Sequence, residues 1–276
     1  MPSAELIDDK QKDRPDHAGH AIRIAHVKTR HGVATVRSDV PDGSKDDYIF
    51  VGGLLSGGSY ERAVCVVATA GHIGRTIRHG SNSVHGAIDA DADEVVGVIE
   101  TLGLGHTIHI IAHSKGGPVA VRAAARLSRE TDIVDVTLVN PALGRSRLPH
   151  GLKDAAGVVL EHAAVYLTYP GRMAQAARGA VHELMHRPTG IMGEVSALFS
   201  DQDFTRDMDI LHERKIPLTL VEGSFDHVVP HENTAAAAIR YRFDHQVNPH
   251  GPVNGSHYGI VAVSGFMEEI GGLRAS

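Results

Sequence analysis

The sequence predicts an α/β fold with a mostly parallel central sheet and helices on both faces. Three observations predict it. Short apolar, β-branched runs recur along the chain, as at Tyr48–Gly52, Val64–Thr69, Thr107–Ala112, Val136–Val139 and Leu218–Val221. Between them lie helical patterns: Ile88, Ala92, Val95, Ile99 and Leu102 share one helix face, and Gly117–Leu127 is alanine-rich. Strands alternating with helices require crossovers, and crossovers make parallel sheets covered on both sides.

The elements follow in order. Residues 1–20 are polar and read as a flexible N-terminal tail, leaving 21–276 as a single domain. Ile22–Lys28 and Val33–Ser38 are strand-like runs joined by the hairpin signal Thr29-Arg30-His31-Gly32. Gly103 and Gly105 end the first clear helix. From about 143 to 208 the alternation stops, and a helical insertion fits instead. Met173, Ala177, Val181 and Leu184 form one apolar stripe, and Met192, Val195 and Phe199 another. Placed after a sheet strand, such an insertion forms a lid over the strands' carboxyl ends, where open α/β sheets place ligands.

Composition excludes several classes. The chain has 276 residues, 42% hydrophobic and 22% charged, with a formal net charge of -6. The acidic balance argues against nucleic acid or anionic lipid as a partner. No stretch approaches the ~18 apolar residues of a membrane span, and no apolar leader precedes the polar N-terminus, so a cytoplasmic location is expected. Cys65 is the one cysteine, so no intrachain disulfide forms, and its apolar surroundings suit a buried thiol. With 20 histidines in the chain, a lone histidine carries little weight.

The informative stretch is Ile108-His109-Ile110-Ile111-Ala112-His113-Ser114-Lys115-Gly116-Gly117. A strand runs straight into a helix with a serine at the corner. Small residues stand two before and two after, where a sharp turn leaves no room for larger ones. This is the pattern of a nucleophile elbow, G-x-S-x-G with Ala112 in the first place. Such a corner lifts the Ser114 hydroxyl above the sheet edge and aims the Lys115 backbone N–H at the reacting centre. The helix N-terminus adds positive potential there.

The segment resembles α/β-hydrolases of the esterase and lipase type, in which Ala-His-Ser-x-Gly-Gly is a familiar variant. The resemblance implies the α/β-hydrolase fold and covers most of residues 45–142 and 210–270. It also implies that Gly71-His72-Ile73-Gly74-Arg75-Thr76 matches the family's loop after its fourth strand. A serine hydroxyl needs a base, and the base needs an orienting carboxylate. The family takes them in the order serine, acid, histidine. Gly223, Asp226, Val229 and Pro230 fit its acid loop, so Asp226 is the expected acid, with Glu222 in reserve. Asn254-Gly255-Ser256-His257-Tyr258-Gly259 resembles its base loop, which makes His257 the expected base over His227, His231, His245 and His250. The family's second oxyanion donor follows its third strand. Val51-Gly52-Gly53-Leu54 places it at the Leu54 N–H, although these glycines also suit a plain turn. The interval from Gly53 to Gly71 is short for the full helix the family carries there.

The expected reaction is hydrolysis of an ester, thioester or lactone through an acyl-enzyme on Ser114, with no cofactor and no metal. Acyl transfer, C–C hydrolysis and perhydrolysis use the same triad. Met173, Met185, Met192 and Phe199 of the lid are the expected contacts for the apolar portion of a small-molecule substrate. Two other classes compete. His182-Glu183-Leu184-Met185-His186 matches H-E-x-x-H, whose histidines can hold Zn²⁺ in a peptidase, but Pro188 closes the helix and no third ligand follows at a familiar spacing. A non-catalytic ligand receptor on a hydrolase scaffold is the other, and it has no need of all three triad residues.

Overall fold

In the computed structural model, nine strands form one sheet in the order β1-β2-β3-β5-β4-β6-β7-β8-β9. The residues described are 4–11, 21–44, 46–54, 64, 67–83, 85–104, 107–143, 164, 167–168, 170–198, 202–224, 226, 228–229 and 231–247. His257, Phe199, Cys65 and the side chain of Met173 lie outside them.

The first three strands, β1 (Glu5–Gln11), β2 (Ala21–Lys28) and β3 (Val33–Val40), run antiparallel, and β3 pairs antiparallel with β5 (Ile73–Arg78). From β5 onward every pairing is parallel, through β4 (Asp46–Val51), β6 (Thr107–His113), β7 (Ile133–Val139), β8 (Leu218–Val221) and β9 (His245–Val247). Every residue of β8 and all but the first of β4 and β6 are buried, as expected of strands covered on both faces. Helices α1 (Ala87–Thr101) and α2 (Gly116–Arg126) pack against one another. Among the described residues, α3 (Pro170–His186), α4 (Pro188–Leu198) and α5 (Thr205–Glu213) fall between β7 and β8, and α6 (His231–Tyr241) follows β8. No helix among the described residues is long and apolar enough to cross a membrane.

Three expectations need correction. The segment taken as a flexible tail contains β1, which pairs with β2 from Glu5↔Lys28 to Gln11↔Arg23. An edge strand held by backbone hydrogen bonds needs no apolar periodicity, and Leu6 and Ile7 are both exposed. The apolar run Val64–Thr69, read as a strand, is helical at Val64 and Val67–Thr69. Parallel pairing of β4 with β5 demands a crossover between them, and this run supplies it. A short apolar run does not distinguish strand from buried helix, and the helical residues within it use part of the short interval from Gly53 to Gly71. Gly71 and His72 precede β5, and Ile73–Thr76 lie inside it. The loop that follows that strand is therefore His79-Gly80-Ser81-Asn82-Ser83.

The core runs between the sheet and α1, α2 and α5. Met208 and Leu211 of α5 are buried in it, so α5 belongs to the body of the fold. We expect Leu211→Ala to cost about 2–5 kcal/mol in urea unfolding. Ile239→Ala, at an exposed position of α6, should stay within about 0.5 kcal/mol.

Candidate active site

Parallel register brings the ends of four strands to one edge. Val51 pairs with Ala112, Ala112 with Leu138, and Leu138 with Leu220. The loops that follow therefore emerge side by side: Gly52–Leu54 after β4, Ser114 after β6, Asn140 after β7 and Glu222–Asp226 after β8. The chain passes from β4 to β5 on one side and then returns to β6 on the other. That reversal makes the carboxyl ends of β4 and β6 the switch point of the sheet, beside which open α/β sheets bind ligands.

Ser114 occupies the corner between β6 and α2 with φ of 54°, in the left-handed region that side-chain-bearing residues rarely adopt. The surroundings hold it there. The Ser114 N–H donates to the Val139 carbonyl at 3.0 Å, and its own carbonyl accepts from Gly117 and Ala142, each at 3.0 Å. Strain of this kind persists only where neighbours over-determine it, and it concentrates at functional sites. A side chain on Gly53 would come within 2.9 Å of Ser114 Cβ, so the backbone of the Gly52–Leu54 loop lies directly against the serine. Leu54, the expected second donor, is the next residue and is half-buried.

Asp226 stands in a turn after β8. Its Oδ1 accepts from the backbone N–H groups of Val228 and Val229, each at 2.8 Å. The turn is tied to the neighbouring strand, because Asn140 Oδ1 accepts from the Gly223 N–H at 2.7 Å and the Asn140 N–H donates to Val221. Two strand spacings, about 10 Å, separate the ends of β6 and β8. Glu222, the reserve acid, is buried at the strand end itself.

Sequence reasoning missed a buried charge cluster beneath the elbow. The Lys115 side chain is 1% exposed, and its Nζ lies 2.7 Å from Asp91 Oδ2 of α1 and 2.9 Å from Glu194 Oε2 of α4. Arg187 pairs with Glu194 at 2.7 Å, and His79 approaches Glu94 at 3.2 Å and Asp91 at 3.8 Å. Burial works against the Lys115 ammonium, but Asp91 and Glu194 hold its pKa above the ordinary 10.5. Burial likewise opposes the Asp91 carboxylate, yet His79, Lys115 and Arg187 keep it below 3.8. Ligand atoms of His79, Asp91 and Glu94 approach within 4.8 Å of one another, near enough to hold a metal ion. The ammonium of Lys115 already supplies the cation beside Asp91.

The H-E-x-x-H motif is split by its helix. The His182 and His186 rings stack at 4.0 Å on an exposed face, whereas Glu183 is buried. The apolar stripes are corrected too. Ala177, Val181 and Leu184 are exposed, as are Met185 and Met192. The buried positions of α4 are Gly190, Ile191, Gly193 and Glu194. These helices thus turn a partly charged face inward, and apolar periodicity could not find it.

Burial pushes the Glu183 carboxyl above 4.5, against the opposing pull of Lys115 and Arg187. The folded chain then holds that proton more readily than the unfolded one. The resulting penalty on stability is present above the raised value and is relieved as pH falls toward 4.5. We expect Glu183→Gln to raise the Tm at pH 8 by roughly 2–4 °C. The gain should shrink toward zero near pH 4.5 in calorimetric scans.

No family model matches the chain, and no curated protein matches its sequence. Solved structures do. The bromoperoxidase from Bacillus anthracis is 18% identical, with a TM-score of 0.64 over 90% of this chain and 98% of that one. An esterase from Exiguobacterium antarcticum is 14% identical, with a TM-score of 0.63 over 89% and 96%. A monoacylglycerol lipase from Paleococcus ferrophilus is 17% identical, with a TM-score of 0.55 over 87% and 97%. These likenesses, the strand order and the serine corner agree, and the chain has the α/β-hydrolase fold.

Proposed function

We propose that the chain is a serine hydrolase that cleaves an ester, thioester or lactone with an apolar portion. The observation that carries this reading is Ser114, held at φ of 54° on the corner beside the sheet's switch point. Esterases, a lipase and a thioesterase domain among the similar structures support the same chemistry. Ser114 Oγ attacks the carbonyl carbon while its proton passes to His257. The tetrahedral oxyanion is stabilised by the N–H groups of Lys115 and Leu54. The bond to the leaving alcohol or thiol then breaks, and His257 returns the proton to it. Water repeats the sequence on the acyl-enzyme and restores Ser114. Asp226 orients the imidazole and stabilises its protonated form. Of the four expected contacts for the apolar portion of the substrate, Met185 and Met192 face solvent, which leaves Met173 and Phe199 as the candidates.

The test is mass spectrometry after treatment with a fluorophosphonate. One adduct on Ser114 is expected, absent in Ser114→Ala and much slower to form in His257→Ala. Labelling confined to another serine refutes the assignment. In ester hydrolysis, Asp226→Asn should lower kcat by about a thousandfold or more. Retention of full activity would remove Asp226 from the triad.

A further inference from the structure

Lys115 is the residue whose backbone N–H the proposed mechanism uses, and its side chain is among the largest that are fully buried. One anchor, Asp91, comes from α1, which packs on α2 itself. The other, Glu194, comes from the helices that follow β7. Those helices are seated by several further contacts. Arg187 Nη2 donates to Glu194 Oε1 at 2.7 Å, and its Nε donates to the Ser81 carbonyl at 2.7 Å. The Gly190 N–H and the Thr189 hydroxyl both donate to Asn82 Oδ1, at 3.1 and 3.0 Å. A Cβ on Gly190 would fall 2.5 Å from the Ser81 carbonyl oxygen, so only glycine allows this approach. The start of α4 is thereby fixed on the loop after β5, with its carboxylate directed at Lys115.

We propose that Glu194 is a positioning residue: its ion pair with Lys115 holds that residue in place at the elbow, and with it the oxyanion-binding N–H that Lys115 carries. The inference rests on the serine hydrolase reading. The plane of the peptide between Ser114 and Lys115 is set by Gly117 and Ala142, which donate to the Ser114 carbonyl, but any shift of the Lys115 Cα along the elbow draws its buried ammonium off two carboxylates. The N–H is therefore set in advance of the charge it meets, which is the arrangement that stabilises an oxyanion best.

The test measures fluorophosphonate labelling of the full chain and of Glu194→Gln, with both rate constant and stoichiometry recorded. In the full chain Ser114 is expected to label to one adduct per chain. Glu194→Gln is expected to reach the same stoichiometry with a rate constant lower by about tenfold or more. A purely structural role would lower the stoichiometry and leave the rate constant alone. Wild-type rate and stoichiometry in Glu194→Gln, or a loss of stoichiometry alone, overturns the proposal and leaves the Ser114 assignment standing. No labelling of Ser114 in the unaltered chain overturns both. If Glu194→Gln does not fold, the double variant Lys115→Met with Glu194→Met removes both charges together. It should retain the circular dichroism of the unaltered chain and label as slowly, and labelling at the unaltered rate counts against the proposal.

Discussion

The Lys115 ammonium must be neutralised where it lies, because water barely reaches it. An isolated charge in such a place is far more costly than one paired and hydrogen-bonded. The chain meets this demand with carboxylates from two distant helices, Asp91 and Glu194, and then balances Glu194 again with Arg187. None of these segments satisfies its charge alone. The elbow, α1 and α4 are thus bound to one another by a requirement of electrostatics as well as by packing.

Geometry at the sheet edge follows from register. Because β4, β6, β7 and β8 pair in parallel without drift at their carboxyl ends, the loops after them start level with one another. Gly53 then abuts Ser114, and the Asn140 amide links the end of β7 to the turn that carries Asp226. The candidate site is less a pocket cut into the surface than the meeting point of strand ends whose order reverses between β4 and β6.

Much of this was legible in the residues. The strand-to-helix serine corner is local, so its signature survives in ten consecutive residues, and the structure places Ser114 on it. The parallel strands announce themselves by uninterrupted apolar runs. The turn after β8 is also local, and Asp226 accepts from the Val228 and Val229 N–H groups within it. What escaped is non-local. Nothing in Glu5–Gln11 signals that β2 offers an open edge, and Val64–Thr69 has the same composition in a strand or a crossover helix. The charged face of α3 and α4 was invisible for a different reason. Hydrophobic periodicity assumes that the buried side is apolar, whereas here Glu183, Arg187 and Glu194 point inward while Val181, Leu184 and Met192 meet solvent.

The seating of α4 has a bearing on how this fold could be re-engineered. Exchanging the helices between β7 and β8 is a natural route to changing what binds at the sheet edge. In this chain, however, a transplanted segment lacking Arg187, Gly190 and Glu194 strips a counterion from Lys115 and forfeits the close approach to Ser81. The permissible graft boundary lies outside those three positions, which makes residues 187–194 part of the chassis and not of the interchangeable module.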